Sequence, residues 1–140
     1  MKILVIHGPN LDQLGKREPE IYGKSTLNEL NQILKKEAEK NNIKLTIFQS
    51  NHEGEIVEKI HQAKGFDGLI INPAAFTHYS IAIRDALDIL KIKKIEVHLS
   101  NIYAREPFRE KSVISAVCNG QISGFGIKSY QLALHYFKNE

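Results

Sequence analysis

Lys2-Ile3-Leu4-Val5-Ile6-His7-Gly8-Pro9-Asn10 is the stretch of sequence that decides the fold. Its apolar run is too short for the core of a signal peptide, and no small-residue cleavage site follows it. Short apolar runs rich in isoleucine and valine are typical of strands that are buried in a parallel sheet. We therefore interpret this run as the first β-strand.

Five repeats of a strand followed by a helix extend along the chain from this point. The first predicted helix begins at a capping box, Thr26-Leu27-Asn28-Glu29, and ends at Asn41-Asn42. The third is apolar around most of its circumference, which favours burial on two sides, with a subunit interface as one interpretation. The predicted strands are residues 2–7, 44–49, 68–72, 94–99 and 121–124, and the remaining predicted helices are about residues 53–64, 80–90, 110–117 and 129–137.

The alternation of strands and helices indicates an α/β fold with right-handed crossovers and helices on both faces of a parallel sheet. Five such units favour a flavodoxin-like three-layer sandwich with a five-stranded sheet in the order 2-1-3-4-5. In that order a functional site opens at the carboxyl ends of strands one and three. The length of 140 residues, without a linker or an internal repeat, predicts a single domain over residues 1–140.

Composition and charge restrict the classes of protein to which the chain can belong. Hydrophobic residues make up 42% of the chain and charged residues 25%, and no stretch approaches the ~20 apolar residues of a membrane span. The single cysteine, Cys118, cannot form a disulfide within the chain, so we expect a cytoplasmic location. The formal charge is +3, yet aromatic residues do not interleave with the lysines as on a nucleic-acid-binding surface. We expect an anionic small substrate, with neither nucleic acid nor membrane as a partner.

Polar residues gather in the connections that follow strands one, three and four. Taken singly, each also suits a turn, a solvated charge or a strand end, but their placement at one sheet edge favours a site. The first connection, residues 8–25, is too long for an ordinary turn between a strand and a helix, which predicts a mobile lid hinged at Gly15 and Gly23. The polar residues are His7, Asn10, Arg17, Tyr22, Asn72, Thr77, His78, His98, Ser100, Asn101, Arg105 and Arg109.

No cofactor or metal motif is present in the sequence. The glycine-rich signatures of dinucleotide and nucleoside-triphosphate sites are absent, His52-Glu53 does not continue as a metalloprotease motif, and the histidines are not spaced as ligands. We therefore expect neither a cofactor nor a metal. A flavin-binding electron carrier and a phospho-acceptor regulator would share the fold. The regulator needs acidic residues at the ends of strands one and three, where this chain has His7 and Asn72, and visible colour of the purified protein would reveal a flavin.

Four segments, in a fixed order and spacing, span nearly the whole chain. They are Gly8-Pro9-Asn10-Leu11 through Leu14-Gly15 and Arg17-Glu18-Pro19 to Tyr22-Gly23, Ser50-Asn51-His52-Glu53-Gly54-Glu55, Asn72-Pro73-Ala74 through Thr77-His78 to Ala82-Ile83-Arg84-Asp85-Ala86-Leu87, and Glu96-Val97-His98-Leu99-Ser100-Asn101 to Arg105-Glu106-Pro107-Phe108-Arg109. With these segments the sequence resembles the type II 3-dehydroquinate dehydratases. The resemblance implies a cofactor-free lyase of the shikimate pathway that converts 3-dehydroquinate to 3-dehydroshikimate by anti elimination through an enolate.

The resemblance also implies catalytic roles at matching positions. Tyr22 would be the base that removes the proton beside the substrate ketone, and Arg17 would help to hold Tyr22 ionised. Asn10 would stabilise the enolate, through a water. His98 would protonate the departing hydroxyl, with Glu96 as its orienting carboxylate. No lysine occupies a mapped catalytic position, so a Schiff-base mechanism is not expected.

Substrate-binding residues and an assembly follow from the same resemblance. Asn72, Ser100 and the backbone just after Ser100 would hold the substrate carboxylate, while His78 and Arg109 would contact the ring hydroxyls. Leu99 would also be a substrate-binding residue. Asp85 would reach the site of a neighbouring subunit, because the family assembles as trimers arranged into a homododecamer.

Overall fold

The fold is built on a parallel sheet of five strands in a computed structural model, which describes residues 1–139. Glu140, the last residue of the predicted domain, lies outside the described residues. The predicted order is confirmed, with the strands arranged β2-β1-β3-β4-β5. The fourth and fifth strands each begin one residue earlier than predicted. The strands are β1 (Lys2–His7), β2 (Lys44–Gln49), β3 (Gly68–Asn72), β4 (Lys93–His98) and β5 (Gly120–Ser123).

The helices pack on both faces of the sheet, as predicted. The predicted capping box is present at the start of α2, where the Thr26 hydroxyl accepts from the Glu29 amide and the Glu29 carboxylate accepts from the Thr26 amide. The predicted second helix ends early, at His61, and continues as a 3₁₀ turn, Gln62–Gly65. The helices are α1 (Pro19–Tyr22), α2 (Leu27–Lys40), α3 (Glu53–His61), α4 (Ile81–Ile89) and α5 (Lys128–Lys138).

The predicted helix over residues 110–117 is wrong. Only two short 3₁₀ turns occur in this region, Pro107–Arg109 and Ser115–Val117. The Ser112 hydroxyl accepts hydrogen bonds from the backbone amides of Ile114 and Ser115. A serine that captures nearby amides in this way offers the backbone an alternative to helical hydrogen bonding.

Alternation along β1 divides the core into two layers. Ile3 and Val5 pack with α2 and α5, whereas Leu4 and Ile6 pack with α3 and α4. Helix α4 buries Ile83, Ala86 and Leu87, yet Ile81 and Ile89 remain 54% and 61% exposed. Within the chain α4 is thus buried on one side, and burial of its second side stays a prediction. In the part of the chain that the structure describes, no helix is long and apolar enough to cross a membrane.

A close approach of two loops fixes the carboxyl edge of the sheet. The amide of Gly8 donates to the carbonyl of Asn72 at 2.7 Å. A Cβ atom on Gly8 would lie 2.6 Å from the backbone of Pro73, so only glycine allows the two loops to meet. This contact places the loop after β1 directly beside the loop after β3.

Candidate active site

A cavity of about 200 Å³ opens at the carboxyl ends of β1, β3 and β4. Pockets for drug-sized ligands occupy roughly 300–1,000 Å³, so this cavity suits a smaller molecule. Its polar and charged lining residues are Asn10, Arg17, Tyr22, Asn72, His78, His98, Ser100, Arg105 and Arg109.

The structure brings together all of the site residues predicted from the sequence except Asp85. Asp85 is exposed on α4, away from the cavity, and its contact with a neighbouring subunit stays a prediction. His7, Thr77 and Asn101, which the sequence places at the same sheet edge, do not line the cavity. His7 and Thr77 are fully buried beneath it, whereas Asn101 is exposed and its side chain accepts from the amide of Tyr103.

The loop after β1 is folded over the cavity rather than extended. Leu11 and Leu14 are buried and anchor the loop to the core, and the short helix α1 carries Tyr22 at its end. The guanidinium carbon of Arg17 lies 4.9 Å from the centroid of the Tyr22 ring. The predicted proximity of these two residues is therefore present in the structure.

Arg105 is a second guanidinium beside Tyr22, and no role was predicted for it. Its guanidinium carbon also lies 4.9 Å from the Tyr22 ring centroid, although Arg105 follows β4 and Tyr22 follows β1. The side chain is 10% exposed, and its Nη1 donates to the Ser100 hydroxyl at 3.4 Å. Its buried Nε has no hydrogen-bond partner among the described residues. The sequence showed Arg105 only as a polar residue in the loop after β4, because the fold of that loop was not predictable.

His98 and Glu96 form a buried pair at the end of β4. Two residues apart on one strand, they face the same side of the sheet, and His98 Nε2 lies 2.7 Å from Glu96 Oε1. The hydroxyls of Thr77, Ser112 and Ser115 also donate to the Glu96 carboxylate. The sequence predicted Glu96 in this place. It missed Ser112 and Ser115 because their segment was assigned to a helix.

This set of donors keeps Glu96 ionised. Burial acts to raise the pKa of Glu96, but the hydrogen bond and charge of His98 and the hydroxyls of Ser115 and Thr77 outweigh it and lower the pKa to about 2. An ionised carboxylate accepts only, so Nε2 of His98 carries a proton that it donates to Glu96. The Nδ1 atom of His98 has no hydrogen-bond partner among the described residues and is left for the cavity.

His78 adds an acceptor to the cavity. Its Nδ1 donates to the carbonyl of Lys111 at 2.8 Å, which leaves Nε2 unprotonated in the neutral ring. Burial lowers the pKa of His78 below its usual value, while the hydrogen bond to Lys111 acts in the opposite direction. A neutral His78 can therefore accept a hydrogen bond from a ligand hydroxyl.

The charges around the cavity favour an anionic ligand. Arg17, Arg105 and Arg109 line it, and no aspartate or glutamate is among the lining residues that the structure describes. The Nε atom of Arg109 donates to Glu106 at 2.8 Å, which fixes one side of its guanidinium. A concave site lined by one sign of charge raises the local concentration of ligands of the opposite sign.

Comparisons with known proteins agree on one family. The family model for class II dehydroquinases matches residues 1–138. A 3-dehydroquinate dehydratase from Caldicellulosiruptor saccharolyticus is 58% identical over 139 residues, which cover 98% of this chain and 96% of that protein. One from Thermotoga neapolitana is 55% identical over 138 residues, covering 99% and 94%. The crystal structure of the type II dehydroquinase from Butyrivibrio crossotus superposes with a TM-score of 0.97 at 52% identity, covering 100% of this chain and 98% of that one.

Proposed function

The chain belongs to the class II dehydroquinase family, enzymes that dehydrate 3-dehydroquinate, and we propose that Tyr22 is its base and His98 its acid in an anti elimination. One observation carries this proposal. Tyr22, which is flanked by two guanidiniums, and His98, which is backed by an ionised carboxylate, line the same small cavity. An elimination of water needs a base that removes a proton and an acid that protonates the departing hydroxyl, both within reach of one substrate.

The first step removes a proton from the carbon beside the substrate ketone. The phenolate of Tyr22 takes the proton, and the electron pair of the broken C–H bond moves to the ketone oxygen as an enolate. Arg17 and Arg105 place two positive charges beside the ring of this base. Asn10, which lines the cavity, stabilises the enolate oxygen through a water.

The second step expels the hydroxyl one carbon further along the ring. The enolate electrons form the new C=C bond as the C–O bond breaks, and the leaving oxygen departs as water with a proton from His98. We assign this proton to Nδ1, because Nε2 donates to Glu96. The loop after β1 and the end of β4 lie on either side of β3 in the sheet, which supports delivery of base and acid to different sides of the ring.

Binding of the substrate would use the rest of the cavity. Asn72, Ser100 and the backbone just after Ser100 hold the carboxylate, His78 and Arg109 contact the ring hydroxyls, and Leu99 lines the cavity beside them. The three arginines of the cavity match a substrate that carries a carboxylate. We also propose that residues 1–140 form one catalytic domain in a homododecamer, with Asp85 at the site of a neighbouring subunit. The cytoplasmic location stays a prediction.

A direct assay tests the proposed function. Purified protein is mixed with 3-dehydroquinate, and the conjugated enone of the product is followed by its ultraviolet absorbance. Substrate labelled with deuterium on one face of the carbon beside the ketone should lose the label only when it lies opposite the departing hydroxyl. Borohydride added with substrate should leave activity intact. Loss from the same face, or inactivation by borohydride, would contradict the mechanism.

A further inference from the structure

Glu96, the carboxylate that orients His98, receives a hydrogen bond from a segment of irregular backbone. The Oγ atom of Ser112 lies 3.0 Å from each of the two carboxylate oxygens of Glu96. Ser112 belongs to residues 110–114, which form neither a helix nor a strand. The position of its hydroxyl therefore depends on the few hydrogen bonds that hold this segment.

The Ser112 hydroxyl is directed at Glu96 by two backbone amides. The amides of Ile114 and Ser115 donate to its Oγ at 3.1 and 3.0 Å. A backbone amide can only donate, and a hydroxyl has two lone pairs and one proton. Both lone pairs are occupied in this way, which leaves the proton of Ser112 for the carboxylate. Displacement of either amide would therefore change the hydrogen bond that Glu96 receives.

Arg84 holds the peptide unit to which one of these amides belongs. From helix α4 its Nη1 donates to the carbonyl of Val113 at 2.7 Å. The Val113 carbonyl and the Ile114 amide are the two ends of one planar peptide unit, so they cannot turn independently. A guanidinium that fixes this carbonyl therefore also fixes the direction in which the Ile114 amide points.

The neighbouring contacts of this segment do not replace the hydrogen bond from Arg84. The Val113 amide donates to the carbonyl of Thr77 at 2.9 Å, but it belongs to the preceding peptide unit. The side chain of Ile114 is fully buried, which anchors its Cα atom. A peptide unit between two anchored Cα atoms can still turn, through opposite changes of the ψ before it and the φ after it. The contact with Arg84 restricts this rotation.

We propose that Arg84 is a positioning residue for the acid of the reaction. It acts through the Val113–Ile114 peptide on the hydroxyl of Ser112. That hydroxyl in turn sets how much negative charge Glu96 presents to His98. Arg84 does not line the cavity and touches no substrate. The inference rests on the proposed function, in which His98 protonates the departing hydroxyl.

Two variants of Arg84 have side chains of similar length but differ in hydrogen bonding. Arg84→Lys can still donate to the Val113 carbonyl, whereas Arg84→Met cannot. We expect Arg84→Met to move the alkaline limb of the pH–rate profile, which reports His98, to higher pH by roughly half a unit, the effect of weakening one hydrogen bond. Arg84→Lys should keep the limb near its place in the unaltered protein. An unmoved limb in the Met variant, or equal displacement in the Lys variant, would overturn the proposal.

A double variant separates this route from a direct effect of the lost charge. Ser112→Ala removes the hydroxyl through which Arg84 acts, so adding Arg84→Met to it should move the limb no further. A direct effect of the guanidinium on the acid would add to that of Ser112→Ala, and additive displacements would overturn the proposal. Among the described residues, His78 and Cys118 also interact electrostatically with Glu96, and they are the same in all of these variants.

Hydrogen exchange measured by mass spectrometry reports the same contact without substrate. The peptide covering residues 110–117 should exchange slowly in the unaltered protein and in Arg84→Lys, and faster in Arg84→Met. Equal exchange in the Met variant would overturn the proposal. So would exchange in the unaltered protein as fast as in an unstructured peptide, even where Arg84→Met fails to fold. An unaltered protein without activity on 3-dehydroquinate would instead contradict the proposed function, so the two failures are distinguishable.

Discussion

Nε2 of His98 lies 2.7 Å from Oε1 of Glu96, and this contact fixes which nitrogen of the imidazole can serve the cavity. Glu96 is buried and receives three hydroxyl hydrogen bonds besides that of His98. The carboxylate therefore stays ionised and orients the imidazole ring by accepting its Nε2–H. The number of donors that share the carboxylate determines how much negative charge it presents to His98.

Ser115→Ala should shift the pH dependence of turnover without abolishing it. With one donor fewer, the Glu96 carboxylate attracts the proton of His98 more strongly, so the alkaline limb that reports the acid should move to higher pH. The pH–rate profile measures this shift. Ser123→Ala is a matched control, because Ser123 pairs with His98 in the sheet but makes no side-chain hydrogen bond to Glu96 among the described residues. An unshifted limb in Ser115→Ala would contradict this view of Glu96.

Arg105→Ala should lower kcat, as should Arg17→Ala, because each removes one of the two guanidiniums beside the Tyr22 ring. We expect losses of roughly tenfold for either residue, since each guanidinium places positive charge beside the ring that carries the proposed base. Steady-state rates measured at several pH values give the comparison. Lys16→Ala, which removes an exposed positive charge from the same loop, should leave kcat nearly unchanged. Full activity of Arg105→Ala would exclude a contribution of Arg105 to catalysis.

The sequence alone predicted the elements whose pattern is local and repeated. The apolar run of β1 and the capping box at Thr26 determine their elements through adjacent residues, and the five repeats of strand and helix favoured the observed strand order. It did not predict the segment in which a side chain competes with the backbone for hydrogen bonds. Ser112 captures two amides and prevents the predicted helix over residues 110–117, and apolar periodicity cannot reveal such a contact.

The candidate site was likewise predictable only in part. The family resemblance identified the residues that line the cavity, because they lie in loops at one sheet edge. The sequence placed Arg105 among the polar residues but gave it no role, because its contact with Tyr22 depends on how two distant loops fold together.

The free energy of unfolding should fall as the pH drops from about 6.5 to about 4, the window between the ordinary pKa of histidine and that of buried His7. In that window the unfolded chain binds a proton at this position and the folded chain does not, so acid favours unfolding. The depressed pKa corresponds to a loss on the order of 3 kcal/mol over the whole window. Urea denaturation at several pH values, compared between the unaltered protein and His7→Asn, measures it. Parallel pH dependence in the two proteins would contradict the assignment.

The loop after β1 should open and close over the cavity, because its length and flanking glycines suit a lid. Limited trypsin digestion should cut first near Lys16 and Arg17, and a bound substrate analogue should protect this site. Cleavage after Lys64, in the exposed 3₁₀ turn after α3, serves as an internal control that the analogue should not change. Equal cleavage near Lys16 with and without the analogue would argue against closure.

Turnover of 3-dehydroquinate by Tyr22→Phe tests the central claim most directly. The phenylalanine ring fills the same place beside Arg17 and Arg105 but carries no base, so we expect kcat to fall by roughly 10²- to 10⁴-fold. Binding of a substrate analogue should remain close to that of the unaltered protein. Tyr103→Phe, at an exposed tyrosine outside the cavity, should keep normal turnover. Near-normal turnover in Tyr22→Phe would show that another group removes the proton and would contradict the mechanism.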